Sequence, residues 1–297
     1  MMRKKTLAAL LAAVLLFLPA LAAAETVVTS FYPIYLLALN LCADIPEVAV
    51  VNLEPPQTGC LHDVQLTAGD MRALAEADVF LVNGADMESY LAHVFDALPE
   101  LPVVDASAGV ELLPSLTGET PFNPHIWLDA GNAMTMVRNL ADGLTAAIPA
   151  HAEQIAANRD ACLARLEALD AELRTGLSDV PRRDIVTFHE AFPYFAKAYG
   201  LNVAAVVAKE PGEALSPREL AELIETVRSL GNPPLFTEPQ YADLAARTVS
   251  AETGAAVYEL DPCVTGPETE IPLTYYEDVM RANLAVLREA LGAAEKE

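Results

Sequence analysis

His62, His125, His189 and Asp261 are the residues whose types could act together chemically, as ligands of one metal ion. Three neutral imidazoles and one carboxylate make an N3O donor set, which suits tetrahedral zinc and could accept manganese. The histidines must be deprotonated to ligate, so affinity for the ion should fall with pH through the range where imidazole titrates. The four lie roughly 60–70 residues apart. Spacing this wide excludes a local zinc finger and suits a site closed between two lobes. It does not by itself separate a four-ligand site from scattered structural histidines, and His189 alone reads equally well as a helix cap. His93, inside a helical pattern, and His151, beside the start of another, read as surface or packing residues.

The elements that must carry these residues alternate in type. Short apolar runs at Glu25–Ser30, Pro46–Leu53, Asp78–Asn83 and Pro102–Asp105 read as strands, separated by helices at about Ile34–Leu41, Thr67–Glu76 and Met87–Leu98. Thr67, with Asp70 three residues on, has the form of an N-cap. A helix over Asn132–Ile148 closes this half, which predicts a parallel α/β lobe over residues 25–148. From Pro149 to about Gly176 no breaker interrupts a helical pattern with Ile155, Cys162, Leu166, Leu169 and Leu173 on its apolar side. This segment, 149–177, is expected to be one rod of roughly 40 Å at 1.5 Å per residue. The same alternation then resumes over 178–297, with strands at Asp184–Phe188, Asn202–Ala208, Pro234–Thr237 and Ala255–Leu260. Helices are expected at Glu190–Tyr199, Pro217–Leu230 behind a Ser216 cap, Ala242–Gly254 and Tyr275–Leu291. His189 and Asp261 fall just past strand ends, where open α/β sheets bind ligands. His62 and His125 fall in loops ahead of helices.

Composition narrows the setting. The formal net charge of −24 repels nucleic acid and anionic membranes and mildly concentrates cations. Residues 1–24 have the form of a cleavable signal peptide: basic Arg3-Lys4-Lys5, apolar Leu7–Leu21, then Ala22-Ala23-Ala24. No cysteine follows the apolar run closely enough to suggest a lipid anchor. The mature chain is therefore expected outside the cytoplasm, at the cell surface or in the periplasm. Cys42, Cys60, Cys162 and Cys263 form no CxxC pair; the readings are four thiols, or a disulfide with two thiols. Cys60 and Cys263 each lie two residues from a candidate ligand.

Six segments together make the chain resemble the zinc/manganese-type solute-binding proteins that feed ABC importers: GCLHD, ADVFLVNGADME, NPHIWLD, TFHEAFPYFAKAYGL, FTEPQ and ETGAAVYELDP. The resemblance covers essentially the whole chain after the signal. It implies an α/β fold of two lobes with mostly parallel sheets, joined by one long helix, with the metal site in the cleft between them. It also implies metal ligands at His62, His125, His189 and Asp261, a monomer, a membrane permease as partner, and Zn2+ as cargo with Mn2+ possible. A glutamate at the third position leans toward manganese in that family, so His189 leans toward zinc. Two features depart from the pattern. Leu113–Asn123, where many zinc members carry a His- and acid-rich loop, has no histidine, and Cys60 stands unusually near His62. Manganese transport is the nearest alternative function. A zinc hydrolase would need an open coordination position and a general base, nominally Glu190 or Glu238, but HExxH is absent. A surface adhesin is a third reading, on which the sequence is silent.

Overall fold

A computed structural model of the chain describes residues 24–55, 66–88, 91–118, 120–207, 215–241 and 244–292. The expected signal peptide, His62 and Cys60 lie outside the described residues.

Two four-stranded parallel sheets form the frame. The first contains β1 (Glu25–Thr29), β2 (Val48–Asn52), β3 (Val79–Val82) and β4 (Val103–Asp105), in the order β2-β1-β3-β4. The second contains β5 (Asp184–Thr187), β6 (Asn202–Val206), β7 (Leu235–Thr237) and β8 (Val257–Glu259), in the order β6-β5-β7-β8. Each order reverses direction beside its first strand, leaving a crevice at the carboxyl ends of β1 and β5. The helices between are α1 (Tyr32–Leu41), α2 (Ala68–Ala75), α3 (Ala92–Ala97) and α4 (Ala130–Ala147) in the first half. The second half has α6 (Pro193–Tyr199), α7 (Pro217–Ser229), α8 (Leu244–Thr253) and α9 (Tyr275–Ala290), with α5 (Ala152–Leu177) between the halves. None of the described helices is long and apolar enough to cross a membrane.

Strand periodicity decides which core each side chain enters. Val79 and Leu81 of β3 face a core that runs through both lobes, whereas Phe80 and Val82 face a smaller cluster with Leu74 and Val94 on the outer side. In β5, Ile185 joins the shared core and Val186 an outer cluster with Leu223, Val227 and Val249. The caps also agree with the sequence. Thr67 and Asp70 exchange capping-box hydrogen bonds at α2, and Ser216 and Glu219 do so at α7.

Helix α5 is the beam across the halves. A 3-10 turn at Pro149–His151 leads into it, and its 26 residues span roughly 39 Å. It packs on α1 and α4 of the first half and on α6 and α9 of the second. Its side chains also fasten both sides. Asn158 donates to the carbonyls of Leu41 (3.0 Å) and Ala43 (2.7 Å), while Arg165 pairs with the buried Glu277 of α9 at 2.9 Å and also donates to Asn40 of α1. Three described cysteines, Cys42, Cys162 and Cys263, are free and buried. Burial pushes the Cys42 and Cys162 thiols up to about 12, which leaves them un-ionised and unreactive. His93 lies in α3, as expected. His151 pairs with Glu25 at 2.8 Å beside the start of α5.

The expected helix over Glu190–Tyr199 begins only at Pro193. Glu190 is drawn out of the helix because its side chain and carbonyl are both engaged by the other lobe.

Candidate metal centre

His125 and His189 meet at the junction of the lobes. Their Nε2 atoms stand 3.0 Å apart, with the rings crossing at 77°. Both are buried, 1 % and 3 % exposed. His189 lies just past the end of β5, at the switch point of the second sheet. His125 sits before a single 3-10 turn, Ile126–Leu128, after which Asp129 caps α4 by accepting the Gly131 N–H at 2.8 Å.

The orientation of His125 is built locally. Asn123 Oδ1 accepts the His125 backbone N–H at 2.9 Å and lies 3.1 Å from Nδ1 of the ring. A proton on Nδ1 satisfies that contact and leaves Nε2 as the lone-pair nitrogen turned to His189. Trp127 packs against the ring at 5.2 Å between centroids. Its indole N–H donates to the Pro262 carbonyl at 2.8 Å, and its own carbonyl accepts the Tyr276 hydroxyl at 2.6 Å. Trp127 thus ties the His125 segment to the loop that carries Asp261.

Asp261 follows β8 and is half-buried. Its Oδ1 accepts the Cys263 N–H at 2.7 Å, closing a tight turn in which Cys263 takes a left-handed φ of 61°. Asn283 of α9 grips its backbone from both sides, accepting the Asp261 N–H at 2.9 Å and donating to its carbonyl at 2.7 Å. Burial raises the Asp261 carboxyl above its usual range, against the lowering effect of the Cys263 N–H.

Between His189 and Asp261 along the same sheet edge stands Glu238, directly after β7. It is 4 % exposed; Oε2 accepts from Gln240 at 2.7 Å, and Oε1 has no hydrogen-bond partner among the described residues. Burial first, and the nearby Asp261 charge second, push its carboxyl well above the ordinary glutamate range. A divalent cation in this crevice would relieve both causes.

Of the four candidate ligands, then, His125 and His189 are brought together, and Asp261 sits at the same edge of the second sheet as His189. His62 lies outside the described residues. Among the described residues no three His, Cys, Asp or Glu side chains close into a metal-holding group. Two supporting residues carried no assigned role in the sequence. Asn123 had a signal, an Asx residue two positions ahead of the histidine, a spacing that favours a local turn. Asn283 had none, because its partner is distant in the chain.

The chain as a whole is similar to several known proteins. A family model described as zinc-uptake complex component A, periplasmic, matches residues 27–290. An iron-binding protein, YfeA of Yersinia pestis, is 34% identical over 235 residues, covering 77% of this chain and 74% of its own length. Zn(II)-bound AdcA from Streptococcus pneumoniae superposes with a TM-score of 0.79 at 28% identity, over 92% of this chain but 59% of AdcA, so this chain spans little more than half of that relative. The solute-binding protein FpvC from Pseudomonas aeruginosa in complex with Mn2+ gives a TM-score of 0.79 at 27% identity, over 90% of this chain and 98% of its own. With two parallel-sheet lobes, a long connecting helix and a match over nearly the whole chain, this protein belongs to the family of the periplasmic component A of zinc-uptake complexes.

Proposed function

We propose that this protein captures Zn2+ outside the cytoplasmic membrane and hands it to the permease of an ABC importer, with His62, His125, His189 and Asp261 as the ligands. The observation that carries this reading is the buried His125–His189 pair. Two nitrogens bound to one tetrahedral zinc at about 2.0–2.1 Å stand about 3.3 Å apart, close to the 3.0 Å found between the two Nε2 atoms. An ion therefore needs only a small outward shift of the rings. Export by a cleavable signal over residues 1–24 fits this role, as does a division into lobes 25–148 and 178–297 around helix 149–177. Ligands drawn from both lobes would make closure and release a matter of lobe separation.

Against the hydrolase reading, Glu190, one of its two nominal bases, is already engaged. A hydrolase needs a free carboxylate as base and an open position for water. Both Glu190 oxygens already accept hydrogen bonds from residues 115–123. The acidic chain, at a net charge of −24, supplies a field that attracts cations. We take the working form to be a monomer.

The test is competitive titration of metal-stripped protein with zinc and manganese, repeated on His189→Ala. The variant should lose at least tenfold in zinc affinity, about 1.4 kcal/mol. Wild-type affinity in that variant would sink the assignment, and tighter binding of manganese than of zinc would move the cargo to the alternative ion.

A further inference from the structure

Loop 113–123 belongs to the first lobe and holds no histidine. It is instead built around a side chain of the second lobe. Glu190, 5 % exposed, places Oε2 within 2.9 Å of the Ser115 hydroxyl, 3.1 Å of the Thr117 N–H and 2.8 Å of the Thr117 hydroxyl. Its Oε1 accepts from the Leu116 N–H and, at 3.2 Å, from Asn123 Nδ2. Five donors converge on one buried carboxylate from a single loop. The Glu190 carbonyl takes a further bond from Asn123 Nδ2 at 2.7 Å.

These bonds close a circuit. Glu190 holds the amide side of Asn123, Asn123 Oδ1 meets His125 Nδ1, His125 Nε2 faces His189, and His189 is covalently joined to Glu190. Tyr194, one turn on, reinforces the seam by donating to the Asn123 carbonyl at 2.8 Å and accepting the Leu113 N–H at 2.9 Å. With both Asn123 N–H groups directed at Glu190, only Oδ1 is presented to the imidazole, which selects the tautomer protonated on Nδ1.

We propose that Glu190 is the positioning residue of the metal centre: an interlobe latch on loop 115–117 and Asn123 that presets the His125 tautomer and slows release of the ion. This rests on the transport reading given above. Release requires His125 and His189 to part, and the latch joins the segments that carry them. Supporting partners of metal ligands are worth about 10- to 100-fold in affinity. Here that factor should fall on the dissociation rate, because the latch holds the closed arrangement and leaves diffusion of the ion into the crevice unaltered.

The experiment uses Glu190→Gln, which keeps size but turns an amide NH2 toward donors. Stopped-flow zinc release should accelerate at least tenfold with association within about twofold of wild type. In the metal-free variant, 15N shifts of His125 should move from the Nδ1-protonated tautomer toward a mixture, and the Leu116 and Thr117 amides should lose exchange protection. Release within twofold of wild type, or an unchanged His125 tautomer, overturns the proposal. Thr117→Val removes one donor from a half-buried loop and reads the same quantities if Glu190→Gln does not fold. It should speed release by a smaller factor, and unchanged release would again be adverse. The two readings separate cleanly. A wild-type protein that retains no zinc overturns the transport reading, whereas the tautomer and exchange data on metal-free protein still decide the role of Glu190.

Discussion

His125 Nε2 lies 3.0 Å from His189 Nε2, although 64 residues separate the two and each comes from a different lobe. At that distance two imidazolium ions would repel strongly in a buried setting, so at least one ring is neutral and offers a lone pair. The pair is thus poised to share either a proton or a metal ion. Zinc added to the stripped protein should raise Tm in proportion to the logarithm of free metal above Kd, and a chelator should reverse the rise. Differential scanning calorimetry at several zinc concentrations checks this, and a Tm indifferent to zinc would contradict it.

Asn283 clamps the Asp261 backbone, not its carboxylate, by two hydrogen bonds. Asn283→Ala should therefore weaken zinc binding by about tenfold through misplacement of Asp261. Competitive titration reads the effect. An unaltered affinity would mean that the turn closed by the Cys263 N–H holds Asp261 without help.

Trp127→Phe keeps most of the buried ring but removes the N–H that satisfies the Pro262 carbonyl. A buried carbonyl left without its donor costs about 1–3 kcal/mol. Urea unfolding of the variant should show a loss in that range, with the midpoint shifted and the slope unchanged.

Glu88 is buried where the first sheet ends. It accepts from the Ser30 hydroxyl (2.7 Å), the Asn83 N–H (2.7 Å) and the Gly84 N–H (3.0 Å). Burial outweighs these bonds and raises its carboxyl to about 7, from 4.5. A raised carboxyl means that the folded protein holds the proton more tightly than the unfolded chain. The contribution to stability is full below pH 4.5 and is lost as pH climbs through about 7. The loss is on the order of 3 kcal/mol. Denaturation at pH 5, 6, 7 and 8 should show it, and Glu88→Gln should flatten that part of the profile.

Gly84 has φ +77°, and a methyl there would fall 1.8 Å from Asp105 Oδ1, which holds the Ser107 N–H and hydroxyl. Gly84→Ala combines left-handed strain of about 1–2 kcal/mol with displacement of that cap. A Tm fall of several degrees is expected, whereas Gly118→Ala, with φ +76° and no atom of the described residues beyond its chain neighbours within 4 Å of the added methyl, should cost mainly the strain.

Much of this molecule was legible in the chain itself. Alternating apolar runs, the Thr67 and Ser216 caps and the unbroken stretch after Pro149 depend on neighbours within a few turns, and local sequence determines such features directly. His125 and His189 were marked by type and by their places beside element ends. What only the tertiary structure decided is everything that joins distant segments. Glu190 looked like the first residue of a helix, because nothing nearby reveals five donors waiting in a loop some 70 residues earlier. Glu238 acquires its place from the strand order β6-β5-β7-β8, Asn283 its role from the packing of α9 beside Asp261, and Asn123 its grip on Glu190 from the meeting of the lobes. Local pattern selects the elements, whereas burial and long-range hydrogen bonding select partners, and those are properties of the packed lobes rather than of any stretch of residues.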